Sequence, residues 1–147
     1  MIHVLAGALF DAEQRVLIAQ RPPGKHMAGG WEFPGGKLEA GETRLQALTR
    51  ELREELGVEV HSAEPLISYE YQYPHRVVLL DLWRVTKFSG TPQPLEGQPL
   101  RWVKVEELKA IGLLEADWPM IDALLASHPP ASHPPPFDGG GQGGGTA

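Results

Sequence analysis

"FPGGKLEAGETRLQALTRELREELGV", residues 33–58, decides how this chain is read. Leu45, Leu48, Leu52 and Leu56 recur at +3, +7 and +11, the spacing of one buried helical stripe, and Gly57 supplies a stop. With Thr43 or Glu42 as the opening residue, the pattern predicts a helix over 43–56. Glu51, Glu54 and Glu55 stand at i, i+3 and i+4, so 3.6 residues per turn gather them on one side, away from the leucines. Two unit charges about 4 Å apart cost on the order of 4 kcal/mol at an effective dielectric near 20. A divalent cation reverses that sign, and hard oxygen donors are the Mg²⁺ pattern. The alternative is a solvated acidic face laced with ion pairs, each worth about 0.2–0.5 kcal/mol. Arg50 and Arg53 lie among the acids, and Arg50 paired with Glu54 or Glu42 would hold the helix to its preceding loop.

Outward from this helix, apolar runs at 3–10 ("HVLAGALF") and 15–21 ("RVLIAQR"), separated by "DAEQ", predict two strands of a hairpin. Further strands are expected at 65–73, 76–86 and 99–105, with turns at "YPH" and in "SGTPQPLEGQP". A short "EELKAIG" turn and a final helix over 118–126 follow. The sum is an α+β domain over residues 1–126, a mixed β-sheet between α-helices, with no βαβ repeat. From Ser127 onward, six Gly and five Pro in 21 residues leave little to bury, so 127–147 reads as a disordered tail. Its His128 and His133 are read as adventitious.

The 147 residues suit one domain, and 41% hydrophobic content is enough for one core. No cysteine is present, which removes disulfides, thiolate metal sites and thiol nucleophiles and fits a cytoplasmic address. No apolar run approaches the roughly 18 residues that span a bilayer, and the start lacks a basic n-region, so neither membrane insertion nor a signal peptide is expected. A net charge of −6 argues against a nucleic-acid polymer as partner. A small phosphorylated ligand reached through a metal remains compatible with it.

The glycines of "PGGKLEAGE" let backbone pass close to the helix and turn polar groups toward an ion or phosphate. Together the loop and helix resemble the Nudix box, Gly-x5-Glu-x7-Arg-Glu-U-x-Glu-Glu-x-Gly-U with U a bulky aliphatic. Gly36, Glu42, Arg50, Glu51, Leu52, Glu54, Glu55, Gly57 and Val58 all fall in register. Nine specified positions over 23 residues make an accidental acidic helix a poor alternative. Residues 21–39, 69–76 and 96–102 are similar to the MutT branch of the family, so the resemblance covers 1 to about 126. It implies an α/β/α sandwich that cleaves a nucleoside triphosphate between the α and β phosphates, giving the monophosphate and pyrophosphate, with water attacking the β phosphorus. A monomer acting on free nucleotides is the expected state.

Carried over by position, the resemblance implies that Glu54 and Glu55 bind Mg²⁺, with Mn²⁺ as a substitute. Gly36 is a carbonyl ligand candidate, and Glu51 a ligand or a base toward water. Glu96, in the loop "LEGQP", matches another acid of the metal site or water activation, and the base is left open between Glu51 and Glu96. Glu42 anchors the loop to Arg50. Arg21 and His26 match positions lining the nucleotide pocket, and Tyr73 and Arg76 stand where the branch places groups around base and phosphate. As alternatives, Phe33 and Tyr73 are core and His26 caps a turn. The branch reads oxidised guanine with an Asn, whereas this chain has Asp117, as its CTP-hydrolysing relatives do; a helix N-cap is the other reading of Asp117. The expected activity is therefore sanitation of 8-oxo-dGTP from the pool that feeds DNA replication and repair, with CTP, dCTP or a modified pyrimidine triphosphate as the alternative. A non-catalytic binding module is the competing class, though none of the box acids is missing. An NADH-hydrolysing relative is disfavoured because no "SQPWPFP"-like segment follows the box.

Overall fold

The computed structural model describes residues 1–127, so the expected tail and its two histidines lie outside the described residues. Its strands are β1 (Ile2–Ala8), β2 (Val16–Gln20), β3 (Trp31–Glu32), β4 (Gly35–Lys37), β5 (Glu59–Tyr73), β6 (Arg76–Ser89) and β7 (Leu100–Val103). The helices are α1 (Arg44–Leu56), α2 (Leu108–Ile111) and α3 (Trp118–Ser127), with 3₁₀ turns at Val105–Glu107 and Glu115–Asp117. The final helix thus takes in Ser127, which the sequence assigns to the tail; its Oγ donates to the Ala123 carbonyl and meets Arg84 Nη2 at 2.7 Å.

The strands form two sheets, a four-stranded mixed one ordered β4-β1-β6-β5 and a three-stranded antiparallel one ordered β3-β2-β7. This corrects the expected β1–β2 hairpin. The chain does reverse, with Asp11 side-chain and backbone bonds closing the turn on Arg15 and a bridge at Phe10↔Val16. Beyond that bridge the strands diverge. β1 pairs in parallel with β6 and antiparallel with β4, while β2 pairs with β3 and β7. Alternation along each strand feeds two cores. Leu5, Leu9, Leu17, Trp83 and Val85 pack under α1, whereas Ala6, Ala8, Ile18, Leu80 and Leu82 face the side of α2 and α3. The strands therefore lie between α1 and the two C-terminal helices, as expected from the α+β reading.

Helix α1 forms where the spacing placed it, and its start is a reciprocal cap. Thr43 Oγ1 accepts the Gln46 N–H while Gln46 Oε1 accepts the Thr43 N–H. Gly57 ends the helix at φ 73°, a left-handed conformation that suits glycine. The buried stripe is Ala47, Leu48, Leu52 and Leu56; Leu45, in the first turn, is exposed, a correction to the expected stripe. The helix approaches β1 closely at Gly7, where a Cβ would stand 3.0 Å from Leu52 Cδ1.

Candidate active site

The loop between β6 and β7 closes over the C-terminal end of α1. The Gln93 and Leu95 N–H groups donate to the Leu56 and Glu55 carbonyls at 2.9 and 3.1 Å, satisfying carbonyls the helix leaves open. Buried Gln98 locks this docking, donating from Nε2 to the Glu55 carbonyl and accepting the Glu96 N–H at 3.0 Å. Glu96 is thereby carried to the acidic face of α1. On the other side, β4 runs so close that a Cβ at Gly36 would strike the Glu51 carboxyl group. A glycine is required there to leave the carboxylate its place.

Glu51, Glu54, Glu55 and Glu96 consequently share one small region. Burial, with Glu96, Glu51 and Glu32 nearby, pushes the Glu55 carboxyl up to about 8, although the Gly35 N–H donates to it. Burial also raises Glu51, opposed by Arg50 and reinforced by Glu54 and Glu96. Arg50 is the counterweight: its guanidinium donates to Glu42 at 2.6 and 3.0 Å, to the Lys37 carbonyl at 3.0 Å, to Glu51 at 3.0 Å and to Glu54 at 3.3 Å. Glu42 is thus tied to the helix, and Arg50 first, then the Glu39 N–H, hold its carboxyl below the ordinary range. Arg53 turns away to pair with Glu59 at 2.7 Å.

The donor chemistry fits a hard divalent cation. Every donor gathered here is an oxygen, the carboxylates are forced together without enough positive charge, and the glycine pair clears the approach. Among the described residues no group of three His, Asp or Glu side chains is closed around one point. Glu54, half exposed, still faces Arg50.

A second group of residues lies beyond β3. Asp117, in the 3₁₀ turn before α3, is buried and accepts the Phe33 N–H; burial, then the charge of Glu32, push its carboxyl up to about 7. This bond ties the turn before α3 to the residue that follows β3. Phe33 is itself buried in the core under α3, and its backbone N–H meets Asp117. Arg21 donates to Glu32 at 3.0 Å and to the His26 carbonyl at 3.0 Å. The His26 ring stands edge-on to half-buried Tyr73 at 6.1 Å. Burial, then Asp117, raise the Tyr73 hydroxyl, and Arg21 opposes them. Arg76 is exposed at the tip of the β5–β6 hairpin, opposite Tyr73 in register, and makes no ion pair among the described residues.

Residues 5–123 match the NUDIX domain model. The chain belongs to the NUDIX family. It is a Nudix hydrolase, and two of its relatives are similar over nearly their full length. The CTP pyrophosphohydrolase of Escherichia coli K12 is 43% identical over 126 residues, 86% of this chain and 93% of that protein. The 8-oxo-dGTP diphosphatase of the same organism is 36% identical over 123 residues, 84% and 95% of the two chains. Among solved structures, the E. coli ORF135 protein superposes with a TM-score of 0.76 at 42% identity, covering 86% of this chain and 89% of that one. A MutT from a study of Aliivibrio salmonicida and Vibrio cholerae gives 0.75 at 39%, covering 85% and 97%. Nudix hydrolases generally depend on a divalent metal, and the crowded oxygen donors of this one fit such an ion.

One residue of the site is absent from the sequence reading. Glu32 pairs with Arg21 and lies close enough to Glu55 and Asp117 to raise both, so it stands between the acidic face and the second group. Its only signal is an acid held between two aromatic residues in "WEFPGG", ahead of the glycine pair.

Proposed function

We propose that residues 1–126 form an Mg²⁺-dependent nucleoside triphosphate pyrophosphohydrolase whose principal substrate is 8-oxo-dGTP, released as the monophosphate and pyrophosphate. The observation that carries the reaction is the convergence of Glu51, Glu55 and Glu96 at the Gly35–Gly36 edge, with Glu54 on the same helix face. Glu54 and Glu55 would hold the ion, with the Gly36 carbonyl and Glu51 as further oxygen donors. When bound, Mg²⁺, or Mn²⁺ in its place, would supply positive charge to the phosphates and to the departing nucleoside monophosphate. Arg50 orients Glu51 and Glu54, and Glu51 or Glu96 takes a proton from the attacking water. Arg21 offers a guanidinium for phosphate or base, its fork held by Glu32.

Base recognition falls to Asp117, flanked by Phe33, Tyr73 and His26. A carboxyl group with a value of about 7 exists in both forms near neutrality. The protonated form donates and accepts, as needed for an oxidised guanine edge; the ionised form only accepts, which suits the exocyclic amine of cytosine. CTP is the second reading, and the same carboxylate favours it, as does similarity to a CTP pyrophosphohydrolase.

A two-substrate assay separates these readings. The ratio of kcat/KM for 8-oxo-dGTP over CTP is expected to fall as pH rises through about 7, because protonated Asp117 is lost. Asp117→Asn should abolish that pH dependence and shift the ratio about tenfold or more, the scale of 1–3 kcal/mol for a mismatched buried hydrogen bond. A ratio unmoved by pH and by the substitution would remove Asp117 from base recognition. A wild-type preference for CTP across the whole pH range would make the second reading the first.

A further inference from the structure

The apolar run of β6 is broken by Asp81, a residue only 1% exposed. Its neighbours Leu80 and Leu82 face the α3 side, so the carboxylate points toward α1, and all its bonding capacity is used. Oδ2 meets His3 Nε2 at 2.7 Å and accepts Arg44 Nε at 2.8 Å; Oδ1 accepts Arg44 Nη2 and Trp83 Nε1, each at 3.0 Å. The guanidinium also lies 5.0 Å over the Trp83 ring.

Arg44 is the first residue of α1, the end at which the helix dipole disfavours a cation, and no acid occupies that first turn. Asp81 supplies the missing negative charge from another element. His3 belongs to β1, whose backbone accepts the Leu38 N–H at 2.8 Å and pairs Leu5 with Gly36. One buried carboxylate therefore joins β6, β1 and the start of α1. Through β1 it is connected to β4, the strand that Glu51 touches.

We propose that Asp81 is a positioning residue for hydrolysis, clamping the N-terminal end of α1 to β1 so that Glu51 and Glu55 are held in register with Gly36 and Gly35. The proposal rests on the assignment of those acids to the metal site. Asp81 touches neither metal nor substrate. Arg44 lies two helical turns from Glu51, about 10 Å along the axis, so a small rotation at the clamp displaces the acids. Misplacement by about 1 Å can cost 100-fold in rate.

The test uses the full chain in three forms: Asp81→Asn, the exposed-side partner change Arg44→Gln, and the paired change Asp81→Leu with Arg44→Met. The pair removes both charges together, which often preserves stability. Leu108→Ala, in the opposite core, serves as a destabilised control. Steady-state rates are measured against Mg²⁺ concentration well below each melting temperature. All three clamp variants are expected to lose about tenfold or more in kcat and to need more Mg²⁺ for half activation, with the preference between 8-oxo-dGTP and CTP unchanged. The control should keep the wild-type kcat and Mg²⁺ requirement. Folded clamp variants with wild-type Mg²⁺ response, or an equal loss in the control, would overturn the clamp. Full turnover by Glu55→Gln in the same assay would instead overturn the metal-site assignment beneath it.

Discussion

Glu55→Gln is expected to lower kcat by about 100-fold or more while making the metal-free protein more stable. The loss follows from removing a charge that holds the cation. The gain follows from the crowding: burial and the neighbouring Glu96, Glu51 and Glu32 raise the Glu55 carboxyl to about 8 in the fold. For an acid raised above its ordinary value, the fold favours the neutral form. That advantage is complete below the unfolded value near 4.5 and is lost as pH rises through about 8. A neutral Gln does not titrate, so in chelator the variant should melt at a higher temperature than wild type at pH 9 and match it more closely at pH 5. Added Mg²⁺ should raise the wild-type melting temperature and leave the variant nearly unmoved. Melting curves at the two pH values, with and without Mg²⁺, check all three statements.

Arg50→Met should damage fold and reaction together. The side chain joins Glu42 and the Lys37 carbonyl of the preceding loop to Glu51 and Glu54 of the helix. Removing it leaves Glu42 without its partner and increases repulsion on the helix face. A loss of about 1–3 kcal/mol is expected, with a fall of several degrees in melting temperature. kcat should drop about tenfold or more as Glu51 loses its orientation. Arg50→Lys should rescue little, because a single ammonium cannot bridge the loop and helix as the guanidinium fork does. Denaturant titration and steady-state rates on both variants test this; a stable, fully active Arg50→Met protein would contradict it.

Helix α1 was legible because each of its signals is local: Thr43 caps, Leu48, Leu52 and Leu56 face the core, and Gly57 stops the helix. The β1–β2 reversal was also local and was read, yet the divergence of those strands into two sheets depends on pairings with β6 and β7 far along the chain. β5 begins at Glu59, six residues before the expected strand. It is an edge strand whose first half is exposed and broken by bulges, with Pro65 at one of them, so little hydrophobic alternation marks it. The short β3 and β4 carry almost no propensity signal and exist because β2 and β1 offer them partners.

In the site, the box acids were legible through spacing alone. Glu96 was placed by resemblance, and the bonds from its loop to the end of α1 supply the physical reason. Glu32 and Asp81 escaped notice because a single acid in an apolar run has no meaning until its partners, Arg21 in one case and His3 with Arg44 in the other, are brought in by the fold.

The proposed mechanism has the acidic face of α1 direct water to the β phosphorus of a nucleoside triphosphate in a metal-dependent cleavage. Turnover of 8-oxo-dGTP with Mg²⁺ in water enriched in heavy oxygen, followed by phosphorus NMR and mass spectrometry of the products, tests it most directly. The expected products are nucleoside monophosphate and pyrophosphate, with the label wholly in pyrophosphate and no reaction in chelator. Nucleoside diphosphate with inorganic phosphate, or label in the monophosphate, would contradict it.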